Sequence, residues 1–504
     1  MFTRPALPTS ETRALTVAWA MFARNDFITM TLNYAPYSHK PPLLPWLIYT
    51  MWLLFGVSKA AATIVTAAAS FSVAWLTQRL AQRLWPQSEA TASLVPWLFL
   101  GLPLVIGYGH LILYDFLLSV FVAGAMLALI CAATTKRFSY FLWLGLCIGM
   151  GGLSKGPAIL LHVLPAALLI PFWKPQRQNY MRWYGGVALA LLIGFAVALA
   201  WAIPAALRGG PEYAHMIFFG QSTGRIVNAF DHAKPWWFYG ALLPVYILPW
   251  ICWPSLWRSK QATGWQQRFL ASWAVPVFIA FSAISGKQIH YLFPVLPAFC
   301  LWLAARLQTD ANKRSWAVTI PLIVYTLIGL GLSVAPWLIR ATHATNPFLS
   351  SLQNLPIGYG GVFVILCCAL LAWSGRYTRD TILATSAALI VFTAWMHIVV
   401  QNRIFSLFDL QPIADVIRAE QLRHPEQPLA YLRTYEGDFG FLAGITRKID
   451  PILPNDLAAW HQKHPQGLVI SCLRNDENRK VTKGWTALKE IPFRSVRTCG
   501  VYRK

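Results

Sequence analysis

Apolar runs of membrane-spanning length recur along almost the whole of this chain. Hydrophobic residues make up 56% of its 504 residues and charged residues only 12%. A helix needs about 20 apolar residues to cross ~30 Å of hydrocarbon, and a helix satisfies its own backbone hydrogen bonds there. The pattern predicts an all-α polytopic membrane protein with about twelve transmembrane helices. They are expected at residues 60–80, 92–108, 112–133, 139–155, 157–173, 183–206, 236–257, 268–284, 290–306, 315–338, 358–374 and 380–400.

The formal net charge of +23 comes from Lys and Arg residues whose positions indicate the membrane topology. Lys and Arg residues occur in short clusters between the apolar runs and not along one face, which argues against a nucleic-acid partner. Every second loop carries such a cluster, as at Arg79 and Arg83 or Lys136 and Arg137. By the positive-inside rule these loops are cytoplasmic. We therefore expect the alternate loops, and the segment that begins at residue 401, to lie outside.

This topology leaves the start of the chain unexplained. Residues 1–40 fall outside with no earlier helix to carry them across, and residues 1–13 lack the apolar core of a signal peptide. Either a transmembrane helix is missing upstream of Met1, or residues 41–57 form the first span. We favour the missing helix, because the three prolines of residues 41–57 suit a helix lying on the membrane surface. The predicted units are an outer-face loop with a juxtamembrane helix (1–58), a transmembrane core (59–400) and an extracytoplasmic domain (401–504).

The composition changes sharply after Val400. Residues 411–423 and 455–464 have helical periodicity and residues 428–435 alternate like a strand, which predicts a small α/β domain. Cys472 and Cys499 lie on two further strand-like runs, and they are candidates for a disulfide in an oxidising compartment. The domain shows no catalytic constellation, so we expect a structural or acceptor-docking role.

Candidate chemistry is therefore sought in five polar clusters on the predicted outer face. Asp115 lies near the outer end of its span, where acids usually face a cavity or a partner. The sequence is equally compatible with two roles for Lys155, namely a side chain that snorkels, extending its ammonium group to the membrane interface, and a functional cation. Some predicted outer loops carry Lys or Arg residues, which is contrary to the positive-inside rule. Such cations suggest that an anionic ligand binds there. The clusters are Ser10-Glu11-Thr12-Arg13, His39-Lys40-Pro41-Pro42-Leu43, Asp115, Lys155-Gly156-Pro157, and the pair of loops that contain Arg225 and Lys287.

In this order the clusters resemble motifs of the GT-C glycosyltransferases of the family 39/83 type. The resemblance is to the bacterial branch that contains lipid A aminoarabinose transferases and relatives of protein mannosyltransferases. Lys40-Pro41-Pro42-Leu43 matches the family's Lys-Pro-Pro-Leu turn, and Gly286-Lys287 followed by Tyr291 and Pro294 matches its Gly-Lys-x-x-x-Tyr-x-x-Pro motif. The resemblance covers residues 8 to about 300.

The resemblance implies an inverting transfer of a sugar from a polyprenyl-phosphate donor, without a cofactor. The acceptor would be a lipid A or lipopolysaccharide type of lipid, another glycan or a protein. The reaction would take place at the periplasmic face of the bacterial inner membrane. The alternative is a non-catalytic protein of the same scaffold that binds or transports polyprenyl-phosphate lipids. The expected donor-phosphate ligands are Lys40, Arg225, Lys287 and Tyr291, the expected catalytic carboxylates are Glu11 and Asp115, and further candidates are Ser10, Arg13, His39 and Lys155.

Two departures from the family pattern bear on chemistry. Ser10 stands where the family has an Asp assigned as a base, and loss of a base typically costs ~10²–10⁴ in rate. A phosphate acceptor is already anionic and would suffer less, so the change favours either such an acceptor or an inactive or altered paralogue. His39 and Ser222 stand where the aminoarabinose branch has a Glu and a His. This set does not support a zinc site, and we predict no metal.

Overall fold

The architecture is that of a helical membrane core joined to a small mixed domain. The computed structural model describes residues 2–174, 179–219, 233–258, 264–307, 319–342, 353, 355, 358–374, 377–400, 405–494 and 496–504. The helices as far as residue 400 are α1 Glu11–Arg24, α2 Leu43–Phe55, α3 Lys59–Leu84, α4 Glu89–Leu100, α5 Pro103–Tyr108, α6 Tyr114–Thr135, α7 Ser139–Lys155, α8 Ala158–Leu168, α9 Ile170–Trp173, α10 Tyr180–Phe218, α11 Phe238–Ile247, α12 Pro254–Arg258, α13 Trp265–Ala283, α14 Leu296–Leu307, α15 Ile320–Ala341, α16 Gly358–Trp373 and α17 Thr378–Val400.

Several of these helices have the length and apolarity of membrane spans. Among the described residues, five helical segments meet both conditions: Lys59–Leu84, Tyr114–Thr135, Tyr180–Phe218, Ile289–Leu307 and Ile320–Ala341. Shorter apolar helices of 10–17 residues include α4, α8, α11 and α16. The prediction of an all-α polytopic membrane protein is confirmed, and the chain is an integral membrane protein.

Three of the predicted spans are interrupted helices. The span predicted at 92–108 breaks at Gly101 and Leu102, between α4 and α5. The span predicted at 236–257 ends as α11 at Ile247 and resumes as a 3-10 turn, Trp250–Cys252, followed by α12. The span predicted at 157–173 breaks at Leu169. Prolines begin or precede most of the new segments, because a residue without an N–H can start a helix but cannot continue one.

The longest helix, α10, reaches well beyond the end predicted for it at residue 206. It continues to Phe218 through a kink at Gly210, whose φ of 84° lies in the region that glycine tolerates best. Pro211 follows the kink and starts the last two turns. This extension carries Tyr213 to the loop that contains Lys40, and it thereby contributes to the candidate site.

Residues 405–504 form the predicted small α/β domain. Its helices are α18 Gln411–Arg423, α19 Gly440–Ala443, α20 Leu457–Lys463 and α21 Asn475–Val481, and its strands are β3 Leu429–Leu432, β4 Asp450–Ile452, β5 Leu468–Arg474, β6 Thr486–Phe493 and β7 Arg497–Arg503. The sheet order is β4-β3-β5-β7-β6, with β3 parallel to β4 and β5, and with β7 antiparallel to both of its neighbours. The earlier strands β1 Thr31–Leu32 and β2 Ala35–Pro36 form a separate two-stranded ribbon.

The interior of this domain is continuous with the packing around the first two helices. Ile413 and Ile417 of α18 join Ile470 of β5 and Val501 of β7 in one apolar cluster, which also includes Leu15 of α1. Cys472 pairs with Cys499 across β5 and β7, and the two sulfurs form a disulfide.

Helix α1 docks on the C-terminal domain through side-chain hydrogen bonds to its backbone. The Thr16 hydroxyl donates to the Gly437 carbonyl over 2.7 Å, and the Trp19 indole donates to the Ile445 carbonyl over 2.9 Å. A Cβ at Gly440 would lie 2.3 Å from Thr16 Cγ2, so glycine permits this close approach. The described domain is therefore packed onto α1 and is not merely tethered by residues near 400.

Replacing both Cys472 and Cys499 by Ser is expected to loosen the C-terminal domain selectively. The two cysteines are 27 residues apart, and releasing a loop of this size costs about 3–4 kcal/mol of stability in the chain-entropy view. We expect faster proteolysis within residues 405–504 of the full chain, while the membrane core keeps its cleavage pattern. Replacing Cys368, which is exposed and unpaired, by Ser is the control and should change neither. Equal protection of both variants would contradict a stabilising disulfide.

Candidate functional site

The centre of the candidate site is Asp115, in the first turn of α6. Its side chain is only 4% exposed. The Lys155 ammonium, at the last residue of α7, forms an ion pair with Asp115 Oδ1. His290 Nε2, from the 3-10 segment Ile289–Val295, lies 3.6 Å from Asp115 Oδ2. Three segments of the membrane core thus converge on one carboxylate.

Further cations and aromatic rings surround this carboxylate. Lys155 Nζ lies 4.2 Å from the centre of the Tyr291 ring, and Lys40 Nζ lies 5.8 Å from the centre of the Tyr114 ring. Both are cation–π distances. Two ammonium groups and an imidazole against one carboxylate leave the site with net positive charge, so it favours an anion. The side chain of Lys155 is 11% exposed and bound to Asp115, which favours the functional interpretation over the snorkelling one.

The turn that contains Lys40 is held by the extension of α10. The Tyr213 hydroxyl donates to the Tyr37 carbonyl over 3.3 Å and accepts from the Met30 amide over 3.1 Å. His39 is exposed, and its ring lies 5.2 Å from the Tyr37 ring. Lys40 is half-buried immediately before the first turn of α2. Tyr213 thereby holds the backbone of this turn three residues before Lys40.

Lys287, a predicted phosphate ligand, contacts backbone carbonyls instead of the Asp115 cluster. It is buried, and its ammonium donates to the Lys234 carbonyl over 2.9 Å and to the Ile284 carbonyl. Burial lowers the pKa of the Lys287 ammonium. The Tyr239 hydroxyl also binds this loop, by donating to the Gln288 carbonyl over 3.0 Å. In this structure Lys287 therefore organises two outer loops next to His290.

Glu11, a predicted catalytic carboxylate, is sealed inside the protein. Its side chain is 0% exposed and receives hydrogen bonds from Arg4 Nη2 over 2.6 Å, from the Leu7 amide over 2.8 Å and from the Ile112 amide over 2.7 Å. Burial alone raises a carboxyl pKa, but the Arg4 guanidinium and the two amides outweigh it, and the pKa of Glu11 is lowered. Its oxygens are engaged by Arg4 and by the two amides in this structure. This geometry favours a positioning role for Glu11, and its catalytic role stays a prediction.

Ser10 and Arg13 lie where α1 meets the C-terminal domain. Ser10 is exposed and makes no side-chain cap at the start of the helix. Asp438 Oδ1 accepts instead from the Thr9 amide over 2.9 Å and from the Thr12 hydroxyl over 3.1 Å. Burial raises the pKa of Asp438. Arg13 forms an ion pair with Glu436 of the same loop, so this part of the motif serves domain docking.

Arg225, a predicted donor-phosphate ligand, lies outside the described residues, as does Ser222. Across the residues that are described, no group of three or more His, Cys, Asp or Glu side chains has the arrangement of a metal site.

Arg4, His290 and His162 are the residues that sequence reasoning missed. Arg4 and His290 each pair with a carboxylate that the sequence did single out. His162 is fully buried in α8, with its ring 5.3 Å from the Phe281 ring, and within the described ranges neither ring nitrogen has a hydrogen-bond partner. A histidine within the apolar run Ala158–Leu168 was the one available signal.

Comparison with known proteins gives this geometry a context. The family described as dolichyl-phosphate-mannose-protein mannosyltransferase matches residues 39–201, which include Lys40, Asp115 and Lys155. The undecaprenyl phosphate-alpha-4-amino-4-deoxy-L-arabinose arabinosyl transferase of Serratia proteamaculans is 29% identical over 335 residues, or 64% of this chain and 59% of that protein. The Photorhabdus laumondii protein of the same name is 26% identical over 416 residues, covering 79% of this chain and 72% of that protein. The chain thus matches less than two thirds of the length of the Serratia relative.

The solved structures extend the likeness to nearly the whole chain. ArnT from Cupriavidus metallidurans bound to undecaprenyl phosphate superposes with a TM-score of 0.83, covering 99% of this chain and 95% of ArnT at 17% identity. The apo form of ArnT superposes with a TM-score of 0.81. The chain has the GT-C fold. The resemblance predicted from its motifs is confirmed, and the C-terminal domain forms part of the superposed GT-C chain.

Replacing Glu11 by Gln is expected to destabilise this GT-C chain strongly. Removing one partner from a buried ion pair costs about 3–5 kcal/mol, because the remaining charge of Arg4 is left unpaired. The contribution of Glu11 is fully present above its ordinary pKa of 4.5 and is lost as the pH falls through the lowered value. Thermal unfolding of the full chain in detergent should therefore show that the variant loses much stability relative to the wild type at pH 7 and less in acid.

Glu436→Gln is the matched control for that measurement. It makes the same chemical change next to α1, but its side chain is 43% exposed and faces Arg13. Exposed ion pairs are worth about 1 kcal/mol or less. If the two variants unfold alike at pH 7, the positioning role of Glu11 is wrong.

Proposed function

We propose that this chain is an inverting glycosyltransferase that moves a sugar from a polyprenyl-phosphate donor to an acceptor lipid. The observation that carries the proposal is the buried Asp115 with Lys155 and His290 against it and Lys40 nearby. The names of the relatives favour undecaprenyl phosphate-linked 4-amino-4-deoxy-L-arabinose as the donor. The resemblance to the aminoarabinose branch favours a lipid A type of acceptor.

The cations of the site suit the departing phosphate. Transfer breaks the bond between the sugar's anomeric carbon and the donor phosphate, and the bonding electrons leave with the polyprenyl phosphate. Lys40 and Lys155 are placed to stabilise that anion with charge-assisted hydrogen bonds, in a region from which much water is excluded. Lysine suits this task as a point charge. Arg225 and Tyr291 remain proposed further ligands of the same phosphate.

The acceptor side of the reaction is proposed to need little base catalysis. Ser10 supplies no carboxylate and Glu11 is sealed by Arg4, so neither is available as a base. An acceptor phosphate is already ionised, and its oxygen can attack the anomeric carbon without losing a proton. Asp115 then orients Lys155 and His290 around the reacting groups. We propose accordingly that the acceptor atom is a phosphate oxygen of the acceptor lipid.

The proposed setting is the inner membrane of a bacterium, with the site and the C-terminal domain facing the periplasm. The distribution of Lys and Arg over alternate loops supports this orientation. The disulfide between Cys472 and Cys499 supports it as well, because such bonds persist in the oxidising periplasm. The donor phosphate would then sit at headgroup depth in the outer leaflet, level with Lys40.

Lys40→Ala is expected to weaken donor use by about 10–100-fold. A hydrogen bond to a charged group is worth about 1.5–3 kcal/mol, and the variant removes one from the leaving phosphate. The measurement is kcat/KM for the polyprenyl-phosphate donor with purified full chain. Lys40→Arg should recover part of the loss, and Arg137→Ala, which removes a cation from the opposite membrane face, should cause none. Unchanged transfer by Lys40→Ala would remove Lys40 from the donor site.

Asp115→Asn separates a transferase from a protein that only binds the lipid. We expect transfer to fall by at least ~10²-fold, because Lys155 and His290 lose the carboxylate that orients them. Donor binding, measured as retention of labelled polyprenyl phosphate, should change by less than about fivefold. Glu89→Gln alters an exposed acid in the first turn of α4 and is the control. A wild-type chain that binds donor and never transfers sugar would favour the binding or transport function instead.

A further inference from the structure

A lipid-facing groove opens between α11, α13 and α14. Its volume is about 660 Å³, and its lining is almost wholly apolar. Small residues line its middle, namely Ala271 and Ala274 of α13 and Ala298 of α14. Helix α11 has 10 residues, about 15 Å of helix, whereas α13 has 19 residues and is about twice as long.

Two guanidinium groups lie at one end of this groove. Arg268 belongs to the first turns of α13, and Arg306 is next to the last residue of α14. The 3-10 segment that contains His290 leads into the other end of α14, so the arginines are at the membrane face opposite to the Asp115 site. Among the described residues, the lining of the groove contains no carboxylate, so this described part carries net positive charge beside an apolar surface.

The two arginines differ in how far their own protein satisfies them. Arg306 Nη1 donates to the Leu256 carbonyl over 3.1 Å, and its guanidinium lies 5.0 Å from the centre of the Trp302 ring. Arg268 Nε is buried and has no hydrogen-bond partner in the part of the chain that the structure describes. A buried donor without an acceptor is costly, so an anionic oxygen at this position would be stabilised.

We propose that this groove binds an anionic glycerophospholipid from the leaflet opposite to the Asp115 site. The lipid phosphate lies between Arg268 and Arg306, whose planar guanidinium groups suit bidentate contact with phosphate oxygens. An acyl chain runs along Ala271, Ala274 and Ala298, where the small side chains leave room. A basic pocket between transmembrane helices at this membrane face is a known type of headgroup site. The proposed sugar donor has its phosphate at the other face, so this site is separate from the proposed function.

The test measures lipid binding by native mass spectrometry on the full chain in detergent. The probes are dioleoylphosphatidylglycerol, which is anionic, and dioleoylphosphatidylcholine, which has the same chains and no net charge. We expect the wild type to prefer the anionic lipid by at least about tenfold. The Arg268→Gln/Arg306→Gln variant should lose about 30-fold in affinity for it, equivalent to about 1 kcal/mol for each guanidinium.

Matched variants separate specific binding from general effects of charge and folding. Arg79→Gln/Arg83→Gln removes two cations from the same membrane face, in the last turns of α3, that are not among the residues lining the groove, and it should keep the preference. Arg268→Gln alone leaves the contacts of Arg306 in place, and its affinity for the anionic lipid should still fall about fivefold. Ala274→Phe fills the groove and should weaken the binding of both lipids.

Three outcomes would overturn the proposal. The first is anionic-lipid binding that survives intact in Arg268→Gln/Arg306→Gln, and the second is an equal fall of that binding in Arg79→Gln/Arg83→Gln. Competition of polyprenyl phosphate with phosphatidylglycerol, together with a raised donor KM in Ala274→Phe, would assign the groove to the donor's chain instead. Sugar transfer by the arginine variants is expected to continue, so failure here leaves the proposed function standing.

Discussion

The buried ion pair of Arg4 with Glu11 is the interaction on which the site depends. Glu11 also accepts from the Ile112 amide, two residues before α6 begins, and Arg4 donates to the His110 carbonyl over 3.2 Å. Because α6 carries Asp115 in its first turn, the ion pair fixes the start of the helix that presents the central carboxylate. A pair of this kind stabilises little on balance, but removal of either partner leaves an uncompensated charge. The ion pair therefore fixes the position of the start of α6.

The same helix α1 connects the membrane core to the C-terminal domain. Thr12, Thr16 and Arg13 on its outer face contact residues 436–438, while Glu11 faces the loop before α6. One short helix therefore contacts both the C-terminal domain and the loop before α6, the helix that carries Asp115.

Positively charged side chains lie at both ends of the membrane core. At one end Lys40, Lys155 and His290 surround Asp115, and the excess of positive charge favours an anion, which we propose to be the phosphate that leaves during transfer. At the other end Arg268 and Arg306 border an apolar groove. In both places cations lie next to apolar surface, and phosphate is the ligand chemistry that we propose for both.

The sequence by itself determined the all-α membrane core, the small α/β domain and the resemblance to GT-C enzymes, because hydropathy, strand alternation and motif order are local properties of the chain. It also indicated Asp115, Lys155 and Lys40, since charged residues at a membrane interface are costly enough to be informative. The tertiary structure alone decided which charges pair. Glu11 and Ile112 are 101 residues apart, and Lys155 and Asp115 are 40 apart, so these contacts exist only once the helices have packed. Packing buried Glu11, one of the predicted catalytic carboxylates, against Arg4, and it brought His290 to Asp115.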